Sequence, residues 1–211
     1  MERREINVLA VGAHPDDIEM GCGGAITKHL ELGDNVYVMI MTNGEKGNHT
    51  QNMEECILSL KNLGIVRENI IFAGFPDGYL PDNQEVVNFI EEQIKRLNII
   101  RVYTHSPNDR HQDHRYCSYA VSSAARKTPE ILLFQGPSTK SPFEPHYFIE
   151  LSDIHLNKKL EALKSYQTQI VKGILNLDWI KQLAAINGIL HNTKYCEAFA
   201  INHFFKKENE I

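Results

Sequence analysis

The sequence predicts an α/β fold, a mostly parallel sheet with helices on both faces, built as a single domain over residues 1–211. Three observations predict it. Short apolar runs alternate with longer stretches of helical periodicity through most of the chain. Two helical stretches end directly at a glycine, Gly33 and Gly64, and a left-handed residue at that place closes a helix at little cost. Two clusters of histidine and aspartate each follow an apolar run, where open α/β sheets gather their functional groups.

Strands are expected at Asn7–Val11, Asn35–Thr42, Asn69–Phe72, Ile100–Thr104, Ile131–Gln135 and Tyr147–Leu151, short runs rich in Val, Ile and aromatic residues. The helices between them are expected at Gly24–Leu32, Asn52–Leu63, Asn83–Leu97 and Asp113–Lys127. Gly21-Cys22-Gly23-Gly24 reads as a tight strand-to-helix turn from which the first helix opens. It lacks the G-x-G-x-x-G spacing, and no Gly-Lys-Ser/Thr occurs, so a nucleotide-phosphate loop is excluded. After Leu151 the pattern changes to two helices, about Ile154–Gln169 and Asn176–Leu190. The segment from Gln135 to Pro142 is a loop placed to wall a pocket, and Lys206–Glu210 reads as a solvated end. The alternation is that of a Rossmann-like, doubly wound sheet.

With 211 residues and 42% hydrophobic content the chain is long enough for one sizeable core. A formal charge of -5 and an isoelectric point near 6.1 speak against a nucleic-acid partner, which calls for a basic face. No apolar run approaches the roughly 20 residues of a membrane-spanning helix. Cleavage of the charged start as a leader would remove the first strand, so the chain is read as mature and cytoplasmic. The four cysteines, Cys22, Cys56, Cys117 and Cys196, are scattered without a C-x-x-C pair, and are expected as reduced, buried thiols.

The chemistry lies in the two clusters. The first, Ala13-His14-Pro15-Asp16-Asp17-Ile18-Glu19, follows the first strand; the second, Arg110-His111-Gln112-Asp113-His114-Arg115, follows the fourth. Imidazole and carboxylate together suit zinc or another divalent first-row ion. A catalytic zinc site needs three protein ligands and one open position. Pro15 keeps His14 out of the helical region and stiffens the loop. Consecutive side chains such as Asp16 and Asp17 point different ways in a loop, so one can bind the metal while the other faces its water; chemistry alone leaves the assignment open. His111 and His114 stand at a helix start, on one side of it. His105 and His146 flank a strand end or a site loop, whereas His29, His49, His155, His191 and His203 have no ligand spacing.

These motifs resemble those of the LmbE-like, or PIG-L, family of zinc-dependent N-acetylglucosaminyl deacetylases, marked by A-H-P-D-D after the first strand and H-x-D-H after a later one. Both stand intact as Ala13–Asp17 and His111–His114, and weaker similarity extends through Thr42–Glu45, Pro76–Gly78 and Tyr195–Phe199. The resemblance implies His14, Asp17 and His114 as ligands of one Zn²⁺ per chain and Asp16 as general base. It implies His111 as the group on the oxyanion, with Asp113 holding its tautomer and favouring its charged form. It further implies an N-acetylated sugar or glycoconjugate as small-molecule substrate, and an assembly of three or six copies. Glu19 is expected to support a ligand or the loop backbone.

Loops 43–49, 74–80 and 135–145 all follow strands and are expected to rim the metal crevice. Within them Tyr79 and Phe143 offer apolar faces to a sugar, while Asn43 and Asp77, together with Arg110 of the second cluster, can bond its hydroxyls. Arg110 and Arg115 could also grip an anionic group or form surface ion pairs. Two departures bear on substrate: Asn52 stands where many relatives carry a substrate-gripping Arg, and Tyr166 heads the Tyr-Gln-Thr-Gln segment where many carry a His. Two rivals accompany the deacetylase reading. One is a metal-dependent amidase acting on other acylated small molecules. The other is a non-catalytic metal- or sugar-binding module, against which the spare carboxylate of Asp16 argues.

Overall fold

The structure, a computed structural model, describes residues 4–42, 44 and 49–205, with the backbone alone described at 49–51. The elements run β1 (Asn7–Gly12), α1 (Asp17–Glu31), β2 (Asn35–Thr42), α2 (His49–Leu63), β3 (Ile70–Phe75), α3 (Gln84–Arg96), β4 (Arg101–His105) and α4 (Gln112–Ala124). There follow β5 (Glu130–Phe134), β6 (Tyr147–Leu151), α5 (Asp153–Leu163), α6 (Gln167–Val171), α7 (Leu177–Ile189) and β7 (Tyr195–Phe204). The seven strands form one sheet in the order β3-β2-β1-β4-β5-β7-β6. The pairs from β3 to β5 are parallel, and β7 is antiparallel to both neighbours.

Strands buried on both faces need apolar side chains at every position, and β1 and β2 supply them. Val8, Ala10, Val38 and Ile40 point into one core, Leu9, Val11, Met39 and Met41 into the other. Helices α1, α2 and α5 pack together over the first, and α3 and α4 over the second. α3 shows the seating: Val86, Ile90 and Ile94 form its buried stripe, each worth about 1.5–3 kcal/mol when removed from water. Gly33 and Gly64 do follow helices with positive φ (82° and 105°).

Strand order reverses at β1, which lies between β2 and β4. At such a switch point the loops leaving adjacent parallel strands turn to opposite faces and open a crevice. The loops leaving β1 and β4 are the two that carry the histidine and aspartate clusters.

Three differences from the sequence expectations have physical causes. α1 begins at Asp17, and Gly21–Gly24 lies within it, where Cys22 (φ -144°) breaks the helix. The glycines serve close approach. A Cβ on Gly21 would stand 2.3 Å from the Phe134 ring, and one on Gly24 would stand 2.4 Å from Leu151. The break frees helix-end groups, and a buried ion pair meets them: Glu197 accepts from the amides of Gly24 (2.9 Å) and Ala25 (2.7 Å). Lys159 donates to the Met20 carbonyl (2.7 Å) and to Glu197 (2.6 Å). Second, Tyr195–Phe204 is a strand with no counterpart in the expected list, inserted between β5 and β6. Third, the expected helix over Ile154–Gln169 ends at Leu163 and a short α6 follows. Glu55 accepts from the Thr168 amide and hydroxyl and so caps the new start.

Candidate active site

Both clusters meet at the crevice, in a cavity of about 430 Å³ whose walls include His14, Asp16, Asp17, Asp77, His111 and His114. Asp16 adopts φ 93° directly before α1, a left-handed conformation that costs a non-glycine residue about 1–2 kcal/mol. It makes no capping bond to the helix, so its carboxylate is left to the cavity.

Three side chains converge with their ring or carboxylate atoms at nearly equal spacing. His14 Nδ1 and His114 Nε2 are 3.3 Å apart. The Asp17 carboxylate spans the two, its Oδ2 3.4 Å from His14 Nδ1 and its Oδ1 3.4 Å from His114 Nε2. Ligands placed tetrahedrally around zinc at 2.0–2.1 Å are separated by about 3.3–3.4 Å. The triangle therefore fits a first-row divalent ion. Among the described residues three overlapping groups could hold an ion: His14, His111 and His114; Asp17, His105 and His114; and His14, Asp77 and Asp113.

Outer carboxylates set each ring. His14 Nε2 faces Asp113 at 3.1 Å and Asp77 at 3.3 Å, which directs Nδ1 inward. His114 Nδ1 lies 3.3 Å from Asp109 and 3.2 Å from the Ser138 hydroxyl, which directs Nε2 inward. This is the second shell a metal-binding imidazole requires. Asp17 accepts from the His14 amide (2.7 Å), and its Oδ2 lies 3.1 Å from His105 Nε2.

The charges follow from these contacts. Burial disfavours a charged His14, yet its bonds to Asp113, Asp17 and Asp77 hold it well above the usual histidine range. Burial likewise opposes charge on His114, and Asp17 and Asp109 overcome it to raise the group to about 9. Fully buried His105 is pushed down to about 4, by burial first and then by His114. For Asp16, burial and then the negative charge of Asp17 and Glu19 push the carboxyl well above the ordinary range. Asp17 moves the opposite way: burial would raise it, but His114 and His105 hold it well below.

His111 lies in the cavity wall with its ring stacked on His114 and edge-on to His14. It caps α4 by accepting the Asp113 amide at Nδ1 (3.3 Å), so its neutral form carries the proton on Nε2. Burial and then the neighbouring His14 and His114 lower its pKa. Here the structure departs from the expected pairing of Asp113 with His111. The Asp113 carboxylate is fully buried and is taken up by His14 and by the amides of Gly78 (2.6 Å) and Leu80 (3.1 Å).

Of the residues expected to read the substrate, Asp77 reaches the cavity wall. Tyr79 is exposed, Arg110 is exposed and Phe143 is half-buried, and none of the three belongs to the wall. Asn43 lies outside the described residues. Arg115 braces its own loop by donating to the carbonyls of Asp109 and Arg110. Glu19 is buried and accepts the Tyr166 hydroxyl at 2.7 Å, holding the wall and touching no ligand. Asp109 was missed by the sequence reading, and His105 was set apart there without being given a role. The position of His105 at the end of an apolar strand was a signal; an Asp in a polar loop was none. The loop after β5 does wall the cavity, through Pro137 and Ser138. All four cysteines are buried and free.

Comparison with known proteins agrees with this geometry. The PIG-L family profile, described as GlcNAc-PI de-N-acetylase, matches residues 9–125, more than half of the chain. The chain belongs to the PIG-L family. It is 35% identical over 170 residues to YaiS of Escherichia coli (strain K12), an uncharacterized deacetylase, covering 76% of this chain and 90% of that protein. It is 24% identical over 216 residues to the diacetylchitobiose deacetylase of Thermococcus kodakarensis, covering 90% of this chain and 80% of that protein. Among solved structures, the conserved protein TT1542 of Thermus thermophilus superposes with a TM-score of 0.83 at 26% identity, over 97% of this chain and 98% of that one.

Proposed function

We propose that this PIG-L protein is a zinc-dependent hydrolase that removes the N-acetyl group from an N-acetylglucosamine-type sugar or its conjugate. The observation that carries this reading is the triangle of His14 Nδ1, Asp17 and His114 Nε2 beside a carboxylate, Asp16, that the fold leaves to the same cavity. The relative that acts on diacetylchitobiose supports the sugar class.

In this reading His14, Asp17 and His114 would hold the ion, which when bound would polarise the amide carbonyl and acidify a water. Asp16 would take up the proton released when water adds to that carbonyl. The raised pKa of Asp16 makes it a better base than an ordinary carboxylate. His111 donates from Nε2 to the oxyanion that develops on the acetamide, in its neutral form and without needing to become imidazolium. Collapse breaks the carbon–nitrogen bond, and Asp16 returns its proton to the leaving amine. Asp113 and Asp109 act one step back, each fixing the tautomer of a ligand imidazole.

The test is acetate release by purified, zinc-loaded protein from N-acetylglucosamine, a glucosaminide conjugate and an N-acetyl amino acid. Turnover of the sugars is expected. Turnover of the amino acid alone would replace this reading by a general amidase, and metal binding without turnover of any would leave a binding module.

A further inference from the structure

Resting on the assignment of His114 as a zinc ligand in the deacetylase reading, we propose that Ser138 is a positioning residue for His114. Its hydroxyl, brought in by the loop after β5, fixes the ligand imidazole, so that zinc affinity depends on a loop that also walls the cavity. Ser138 lies in that wall. Its Oγ meets two partners, Asp109 Oδ1 at 2.7 Å and His114 Nδ1 at 3.2 Å.

One hydrogen decides the roles. Asp109 also accepts from the His111 amide at Oδ1 (2.8 Å) and from the Thr139 hydroxyl at Oδ2 (3.0 Å), the pattern of an ionised carboxylate. Two oxygens 2.7 Å apart need a hydrogen between them, and an ionised carboxylate brings none. The serine hydrogen therefore points at Asp109, and none is left for His114. Nδ1 must carry its own, which leaves Nε2 bare on the side of His14 and Asp17. A metal-binding imidazole needs that tautomer. Asp109 alone would hold it loosely, because its oxygen stands 3.3 Å from Nδ1, past the usual N–H···O range of about 2.7–3.2 Å. The serine is the nearer acceptor.

The loop is fixed in place for this contact. Asp109 and Thr139 pair as an antiparallel bridge. Beside it the Arg110 amide donates to the Ser138 carbonyl (3.0 Å) and the Lys140 amide to the Asn108 carbonyl (2.8 Å). The Thr139 hydroxyl accepts from the Gly136 amide (2.9 Å) while donating to Asp109. Residues 136–140 and 108–110 thus form one unit whose two hydroxyls converge on a fully buried carboxylate. His105 and His111 stack on the His114 ring, with centroids 4.1 and 4.6 Å away. Stacking lets a ring turn in its own plane, and the bond at Nδ1 stops that motion.

The experiment measures zinc affinity by competition with a chelator in the wild type, Ser138→Ala, Ser138→Thr, Asp109→Asn, the Ser138→Ala/Asp109→Asn double variant and His114→Ala. Unfolding of each metal-free variant in denaturant checks that it is folded. Ser138→Ala should weaken zinc binding about 3- to 10-fold, the scale of one hydrogen bond. Ser138→Thr keeps the hydroxyl and should stay within about twofold of the wild type. In the Asp109→Asn background the same Ser138→Ala change should cost less than about twofold, because the amide at 109 no longer fixes the hydroxyl hydrogen. A serine that only shaped the loop would give the same loss in both backgrounds. Unchanged affinity in Ser138→Ala, an equal loss in Ser138→Thr, or the same loss in both backgrounds overturns the proposal. The measurement needs no turnover, which separates the two readings. Wild-type affinity in His114→Ala removes the ligand and this proposal with it. Zinc binding that depends on Ser138, in a protein that releases no acetate, supports the proposal and removes the deacetylase reading alone.

Discussion

On the β1–β4 side of the cavity, the charged side chains interlock with other buried polar groups: His14 with Asp113, His114 with Asp109, Asp17 with His105. In another part of the wall, residues 166–174 hang from two carboxylates, Glu19 and Glu55, and carry Lys172, exposed and without an ion pair among the described residues. The first side resembles a preorganised catalytic centre, in which positions are held by partners that never touch substrate. The second resembles a recognition surface, with its shape fixed and its outermost charge left open. The contrast teaches that chemistry and preference are separable here, and substitutions should sort accordingly.

The largest expected effect breaks the first side outright. His14→Ala, Asp17→Ala and His114→Ala should each lose bound zinc and bring acetate release to background, because a three-ligand site loses a third of its donors. Elemental analysis of each purified variant checks this. Full metal content in all three would remove the ligand assignment.

Next comes the splint beneath the first side. Lys159 and Glu197 are buried as a pair and close the break in α1 at Cys22. Removing one partner strands the other charge, so Lys159→Met or Glu197→Ala should cost about 3–5 kcal/mol in denaturant unfolding. Glu197→Ala should be the worse, since it also uncaps Gly24 and Ala25. A loss below about 1 kcal/mol in both would mean that the pair contributes no more than a surface contact.

A smaller effect should sharpen the boundary between holding and touching. Asp109→Asn and Asp113→Asn leave the three ligands in place but remove the outer carboxylates, and zinc affinity should weaken about 10- to 100-fold in each. Competition with a metal chelator measures it. The smallest effects are expected at Tyr79→Ala and Arg110→Ala, since both side chains lie off the wall. Their kcat/KM for sugar substrates should stay within about threefold of wild type, the range of a surface substitution of about 0.5 kcal/mol.

How much of this was legible in the sequence differs between the two sides in the same way. The parallel strands and the two glycine stops follow from local patterns, because apolar runs and turn residues are read along the chain, whereas the choice of His14, Asp17 and His114 as ligands came from the family resemblance of two short motifs. Asp109 acquires its role when loops meet in space, and nothing in its neighbours announces it, whereas His105 is marked by its place at the end of an apolar strand. The glycines at 21–24 pass for a turn in the sequence because the reason for them is the ring of Phe134 and the side chain of Leu151, both remote along the chain. β7 escapes because Glu197, Asn202 and His203 interrupt its apolar run. Its Glu197 is buried for a tertiary reason, the cap on α1. The recognition wall reads as the end of a continuous helix. What breaks that helix is Glu55, from α2. Side-chain direction in the loops was not legible, and Tyr79, Arg110 and Phe143, expected to face the crevice, are not among the residues that line it.

The central claim is that Asp16 performs chemistry while His14, Asp17 and His114 hold the ion. One preparation tests it most directly: zinc content and acetate release from N-acetylglucosamine, measured together on wild type and Asp16→Asn. The account predicts about one zinc per chain in both, with kcat lowered about 10²–10⁴-fold in the variant and the acid limb of the wild-type pH profile, set by ionisation of a carboxyl raised by burial, absent from it. An Asp16→Asn protein that has lost its zinc, or that releases acetate at the wild-type rate, would contradict the account.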